Sequence, residues 1–100
     1  LMLGGASLRI PVVVDGFIAG AAAAIAVGLH PEARALLVGS HASVEPGHRL
    51  LMRHLGIPTY TNFGLRLGEG TGAALLFPII DASVRILTEM RTLAELDIQR

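Results

Sequence analysis

The sequence predicts an α/β fold with parallel strands. Three observations carry that expectation. First, two short runs, Pro11-Val12-Val13-Val14 and Ala35-Leu36-Leu37-Val38-Gly39, are continuously apolar rather than alternating, as strands covered on both faces are. Second, each run is followed by a stretch of helical composition or spacing, and the order strand, helix, strand, helix, strand, helix is that of parallel strands joined by right-handed crossovers. Third, 52% of the residues are hydrophobic and 16% are charged. A small free-standing domain has too much surface for so apolar a composition, whereas elements buried inside a larger α/β protein do not. One hundred residues are read as a single α/β unit, residues 1–100.

Residues 1–9 read as the end of a helix or a loop, punctuated by Gly4-Gly5. The opening Leu1-Met2-Leu3-Gly4 has no initiator at position 1 and reads as cut from something longer. The first strand is Pro11-Val12-Val13-Val14, bounded by Asp15-Gly16. Residues 17–29 are dominated by Ala, which favours helix, and Gly28 and Pro31 mark its end. Pro31-Glu32-Ala33-Arg34 is a polar turn or helical start, and residues 35–39 are the second strand. Residues 44–55 place Leu50, Leu51 and Leu55 against Arg49 and Arg53, a helix with Ser43 as N-cap, Glu45 in the first turn and Gly56 just past the end. Residues 58–63 form a third extended piece. Residues 71–90 are helical, with Pro78 expected to kink or split them near Phe77. Ile79, Ile80, Val84, Leu87 and Met90 fall near helical spacing and are assigned to the core, and residues 91–97 extend the helix by a turn or two.

Composition excludes several functions. The eight basic residues are all Arg, spread along a chain of zero net charge, so no basic patch suggests nucleic acid. Without cysteine, disulfides and thiolate metal sites are excluded and nothing suggests secretion. No signal-peptide pattern opens this span. Residues 10–29 contain one charge, but much of their apolarity is Ala, and a central Asp15 costs about 2.5–3.5 kcal/mol on insertion scales, so no membrane span is expected.

The chemistry concentrates in residues 64–72, Gly-Leu-Arg-Leu-Gly-Glu-Gly-Thr-Gly, which hold four of the twelve glycines. Bare backbone there can present N–H groups to a small molecule, with Glu69 as the one carboxylate. Glu69 reads as a general base at a helix start; the competing reading is a first-turn Glu that complements the helix dipole. Asp15 follows the first strand and reads equally as a group that bonds a sugar hydroxyl or another loop, or as a simple Asx-turn. In open parallel sheets ligands sit beyond the carboxyl ends of the strands. The ends here are Asp15-Gly16, Ser40-His41-Ala42-Ser43 and the glycine loop, so Asp15, Ser43 and Glu69 are expected on one rim. His41, Glu45 and His48 have i, i+4, i+7 spacing, but Pro46-Gly47 interrupts them and the His-Glu-x-x-His signature is missing, so no metal site is assigned. A triad of Ser40 or Ser43 with a His and Asp15 lacks the Gly-x-Ser-x-Gly elbow.

Three ordered blocks then carry a resemblance: Arg9-Ile10-Pro11-Val12-Val13-Val14-Asp15-Gly16-Phe17, Ser40-His41-Ala42-Ser43-Val44-Glu45-Pro46-Gly47-His48 and Leu65-Arg66-Leu67-Gly68-Glu69-Gly70-Thr71-Gly72-Ala73. Together they resemble the C-terminal part of the nicotinate-nucleotide–dimethylbenzimidazole phosphoribosyltransferase family. The resemblance implies a Rossmann-like α/β layer in a much longer chain, a cytoplasmic homodimer, and a glycosyltransferase reaction. Phosphoribose would move from nicotinate mononucleotide to dimethylbenzimidazole, giving α-ribazole 5′-phosphate and nicotinate for the lower ligand of cobalamin. It implies Glu69 as the catalytic glutamate and Leu67 beside the bound base. Ser43, Asp15 and Gly16 would lie near the ribose phosphate, with Gly68 and Gly70 letting substrate approach the backbone. A carboxylate suffices for the proton transfer, so neither metal nor cofactor is implied. The alternative is a non-catalytic α/β interaction or assembly module that kept the fold without a complete site.

Overall fold

A computed structural model of the chain describes residues 1–66 and 68–97. Its centre is a parallel pair of strands, β1 (Val12–Val14) and β2 (Leu37–Gly39), with Val12 opposite Leu37, Val13 opposite Val38 and Val14 opposite Gly39. Helix α1 (Met2–Ser7) precedes β1. Helix α2 (Phe17–Leu29) and a 3₁₀ helix (Pro31–Leu36) make the crossover to β2, as parallel neighbours require. Helices α3 (Pro46–Leu55) and α4 (Thr71–Glu89) follow. The α/β class with parallel strands is what the apolar runs predict.

The core is small and local. Val14, Ala23, Leu37, Met52, Leu55 and Ile57 join β1, α2, β2 and α3. Helix α2 buries only Gly20, Ala23 and Ala26, one small residue per turn. That lets α3 come close: a Cβ on Gly20 would stand 3.1 Å from Leu51 Cδ2 and 3.5 Å from His48 Nδ1. Helix α3 answers with His48, Met52 and Leu55, buried at i, i+4 and i+7. Its end is a Schellman turn: Gly56 is left-handed at φ 66°, its N–H bonds Arg53 O at 3.1 Å, and Ile57 N–H bonds Met52 O at 3.1 Å. Residues 10–29, weighed above as a membrane span, are a strand and a helix of 13 residues, about 20 Å long and too short to cross about 30 Å of hydrocarbon.

Several expectations are corrected. Helix α3 starts at Pro46, not Val44, and Glu45 is its N-cap residue with extended backbone (φ −66°, ψ 121°). Proline favours the first helical position and pushes the residue before it out of the helical region. Ser43 therefore is not the N-cap; its Oγ accepts the Glu45 N–H at 3.2 Å instead. The third extended piece shrinks to one parallel bridge, His41 with Thr61. Tyr60 N–H and Thr61 N–H both go to Ser40 O, and Pro58 has no N–H to extend a ladder.

Helix α4 departs furthest. It runs unbroken through Pro78. Ala74 and Pro78 are both exposed, so the carbonyl that loses its donor is left to water. Its buried residues are Gly72, Ala73 and Leu76, all in the first two turns. The stripe assigned to the core is uncovered: Ile79 is 46% exposed, Val84 52%, Leu87 85% and Met90 66%. Helical spacing identifies an apolar face but not the partner for it; Val38 and Tyr60 border one edge of this face and Ile80 is half-buried, while the rest is open. By length and composition α4 could cross a membrane, and 11% of its apolar window is buried. The radius of gyration, 15.9 Å, exceeds the roughly 13 Å of a compact chain this long, as a projecting helix makes it. Residues 91–97 are irregular backbone and turns rather than further helix.

Candidate functional site

Beyond the carboxyl ends of β1 and β2 lies a cleft of about 580 Å³, within the usual range of small-molecule sites. Asp15, Gly16, Ser43, Gly68, Glu69 and Gly70 all line it, so three loops far apart in sequence share one rim. Leu67 lies outside the described residues. Sequence reasoning missed Phe17, Ile18, Glu45 and Arg66, which complete much of the wall. Phe17 and Ile18 follow the Asp-Gly turn directly, and an apolar pair exposed at the start of an otherwise small-residue helix was the available signal. Arg66 Nη2 lies 3.6 Å from Glu45 Oε1 with both side chains well exposed, a pair worth little to stability but a guanidinium at the cleft mouth.

Asp15 is built into the frame. Its Oδ2 accepts the Gly70 N–H at 3.2 Å and its Oδ1 the Ala73 N–H at 3.0 Å. These are amides at the start of α4, where helix geometry leaves N–H groups without partners. Of the readings open above, Asp15 holds another loop.

Glu69, in contrast, is not in the first turn of α4. It precedes the N-cap Gly70, and both residues are left-handed, at φ 65° and 78°. This pair of turns swings Glu69 away from the helix, so the dipole reading fails and its place at the dipole is taken by Asp15. A left-handed conformation is uncommon for a residue with a Cβ and costs on the order of 1–2 kcal/mol. Gly68 has no neighbour within 4 Å of a Cβ added to it and no positive φ, so nothing in the described chain requires glycine there. Gly72 is the opposite case: a Cβ on it would overlap the His41 ring.

The histidines and Ser40 form a sealed layer beneath the cleft. Ser40 is 0% exposed, and its Oγ lies 2.7 Å from Val14 O and 2.9 Å from Asp15 O, tying the end of β2 to that of β1. Closed off from the cleft in this way, it is a strand link and not a nucleophile. His41 and His48 are each 1% exposed and stacked at 6.2 Å. No group of His, Asp or Glu among the described residues has the arrangement of a metal site. His48 Nε2 donates to His41 O at 3.3 Å, while Nδ1, turned toward Gly20, has no partner among the described residues.

Burial holds the His48 pKa below its ordinary value of 6.5, against a smaller upward pull from its bond to His41 O; the neighbouring His41 lowers it further and Asp15 raises it. In the unfolded chain His48 titrates near 6.5. Below that pH the unfolded state takes up a proton that the folded state refuses, so stability falls with acidification from about pH 6.5 down to the folded pKa and then levels off. His48→Gln should flatten that slope. Urea midpoints at pH 7.5, 6.5 and 5.5 for both proteins measure it, and parallel slopes would assign the acid sensitivity elsewhere.

The comparisons with known proteins agree with one another. A phosphoribosyltransferase family model, DBI_PRT, matches residues 1–98. The nicotinate-nucleotide–dimethylbenzimidazole phosphoribosyltransferase of Desulforamulus reducens is 51% identical over 100 residues, all of this chain and 28% of that protein. The protein of the same name from Geobacter sp. strain M21 is 52% identical over 95 residues, 95% of this chain and 27% of that one. The crystal structure of the corresponding enzyme of Thermus thermophilus superposes with a TM-score of 0.93 at 40% identity, over 99% of this chain and 30% of that one. The chain thus spans somewhat more than a quarter of the length of the curated relatives it matches.

Proposed function

The chain belongs to the phosphoribosyltransferase family, and on that premise we propose that it is the C-terminal part of a longer enzyme that moves phosphoribose from nicotinate mononucleotide to dimethylbenzimidazole. The reading joins two supports. The relatives of about 50% identity carry that reaction in their names. The single observation that carries it in this chain is Glu69, held left-handed between two glycines on the rim of the cleft.

The chemistry is a displacement at the anomeric carbon. The unprotonated ring nitrogen of the base forms the new C–N bond. The nicotinate nitrogen leaves with the electron pair of the old one, which neutralises its pyridinium charge. The other ring nitrogen of the base loses its proton to the Glu69 carboxylate, acting as general base. Holding both substrates in line supplies much of the acceleration. Gly16, Gly68 and Gly70 let ribose and a flat base approach the backbone, Ser43 offers a hydroxyl near the ribose phosphate, and Leu67 is assigned to the base by the resemblance alone. The products are nicotinate and α-ribazole 5′-phosphate, for the lower ligand of cobalamin. No metal or bound cofactor takes part in this reading. It takes the enzyme as a cytoplasmic homodimer, and the uncovered apolar face of α4 supports burial in a larger assembly.

The second reading, a non-catalytic interaction module, is favoured by the uncovered apolar face of α4, which a partner would bury. Chromatography of the full-length protein incubated with nicotinate mononucleotide and dimethylbenzimidazole separates the two. Equal formation of nicotinate and α-ribazole 5′-phosphate is expected. Binding of either compound without products would leave the module reading, and neither binding nor products would end the phosphoribosyl-transfer reading.

A further inference from the structure

The 69–70 peptide is where the base meets the frame. The Gly70 N–H belongs to the peptide plane whose carbonyl is that of Glu69, so whatever bonds that N–H fixes the ψ angle of Glu69. Asp15 Oδ2 bonds it at 3.2 Å, and Oδ1 reaches three residues further to the Ala73 N–H at 3.0 Å. The two bonds bracket the first turn of α4. The side chain is 15% exposed and has His41 Nδ1 4.0 Å from Oδ1. The same His41 ring fills the space beside Gly72. The start of α4 is therefore clamped from two sides, and Glu69 hangs from the clamp in a conformation that persists only where its surroundings enforce it.

We propose that Asp15 is a positioning residue for Glu69, acting through the Gly70 and Ala73 amides, and that it does not contact the phosphoribosyl group. This rests on the phosphoribosyl-transfer reading and departs from the resemblance, which puts Asp15 near the ribose phosphate. Each of its oxygens already accepts an amide, and a carboxylate turned to a phosphate would face like charge.

The test is a double-mutant cycle in the full-length enzyme with Asp15→Asn and Glu69→Gln. Asp15→Asn keeps one oxygen acceptor and turns an NH₂ toward an amide N–H that needs an acceptor. Misplacing a catalytic group by about 1 Å can lower turnover about 10²-fold. Asp15→Asn is therefore expected to lower kcat by about that factor and leave KM for nicotinate mononucleotide unchanged. In the Glu69→Gln background the same change should cost little more, because residues that act as a unit are not additive. A raised KM for nicotinate mononucleotide with kcat kept would overturn the proposal in favour of substrate contact. Losses that multiply in the double variant would overturn it in favour of independent roles. If Asp15→Asn does not fold, amide exchange in the unmutated enzyme decides: protected Gly70 and Ala73 amides support the clamp, and free-peptide rates refute it. Absence of turnover in the unmutated enzyme removes the phosphoribosyl-transfer reading and this proposal with it, whereas turnover with multiplied losses removes this proposal alone.

Discussion

Replacing Glu69 by Gln in the full-length enzyme should lower kcat by about 10²–10⁴-fold, the usual worth of a positioned general base. Gln keeps the shape and the hydrogen-bonding reach but cannot accept the proton that the benzimidazole nitrogen must lose. On the proposed reading, binding of dimethylbenzimidazole should weaken far less, since the glycine backbone and the cleft walls are left as they were. Folding should be nearly unchanged: Glu69 is exposed and stands outside α4, so it contributes neither core packing nor a helix cap. The measurement pairs steady-state turnover with a thermal melt. Near-normal turnover in a properly folded variant would show that the proton leaves by another route.

The second large effect is on stability and runs against helix propensity. Gly72 sits in the first turn of α4, where Ala would ordinarily gain up to about 1 kcal/mol. Here the added methyl would overlap the His41 imidazole. The ring cannot retreat: it is 1% exposed, stacked on His48, and its backbone carries the bridge to Thr61. Nor can α4 withdraw freely, because Asp15 holds its first amides. Overpacking a filled site costs about 1–3 kcal/mol and occasionally more, so Gly72→Ala should be destabilising by about 2 kcal/mol after the propensity gain. Denaturant midpoints of the two proteins decide it. An unchanged or raised midpoint would mean that His41 and α4 do not meet as described.

The sequence makes the middle of this fold legible and its edges not. β1 and α2 are readable from residue type, a triple valine and an alanine run, whereas the second strand, expected over residues 35–39, is only Leu37–Gly39 because Ala35 and Leu36 belong to the 3₁₀ helix. The expectation for α2, residues 17–29, matches Phe17–Leu29. The rim was readable in part, since parallel strands bring their carboxyl ends together, but the glycine loop reaches it without a strand before it, tied there by Asp15. What could not be read is the partner of each polar or apolar group. Whether Asp15 serves a ligand, a turn or a helix depends on a bond to residues 55 and 58 positions away. Ile79, Val84 and Leu87 have the spacing of a core face, yet spacing cannot say whether anything in the same chain covers it. Glu69 in the left-handed region was hidden too, because glycines on both sides invite the positive φ to be assigned to them alone.

The reach of Asp15 also sets an order of assembly. Closing a loop of 55 residues costs roughly 3.5 kcal/mol of chain entropy, plus a constant, before any contact is gained. The core of β1, α2, β2 and α3 forms over shorter separations and must bring Asp15 and His41 together before the start of α4 has anywhere to land. On this loop-closure cost the turn that carries Glu69 is expected to close after that core. Local opening at this one junction would release Glu69 from the rim of the cleft without unfolding the rest.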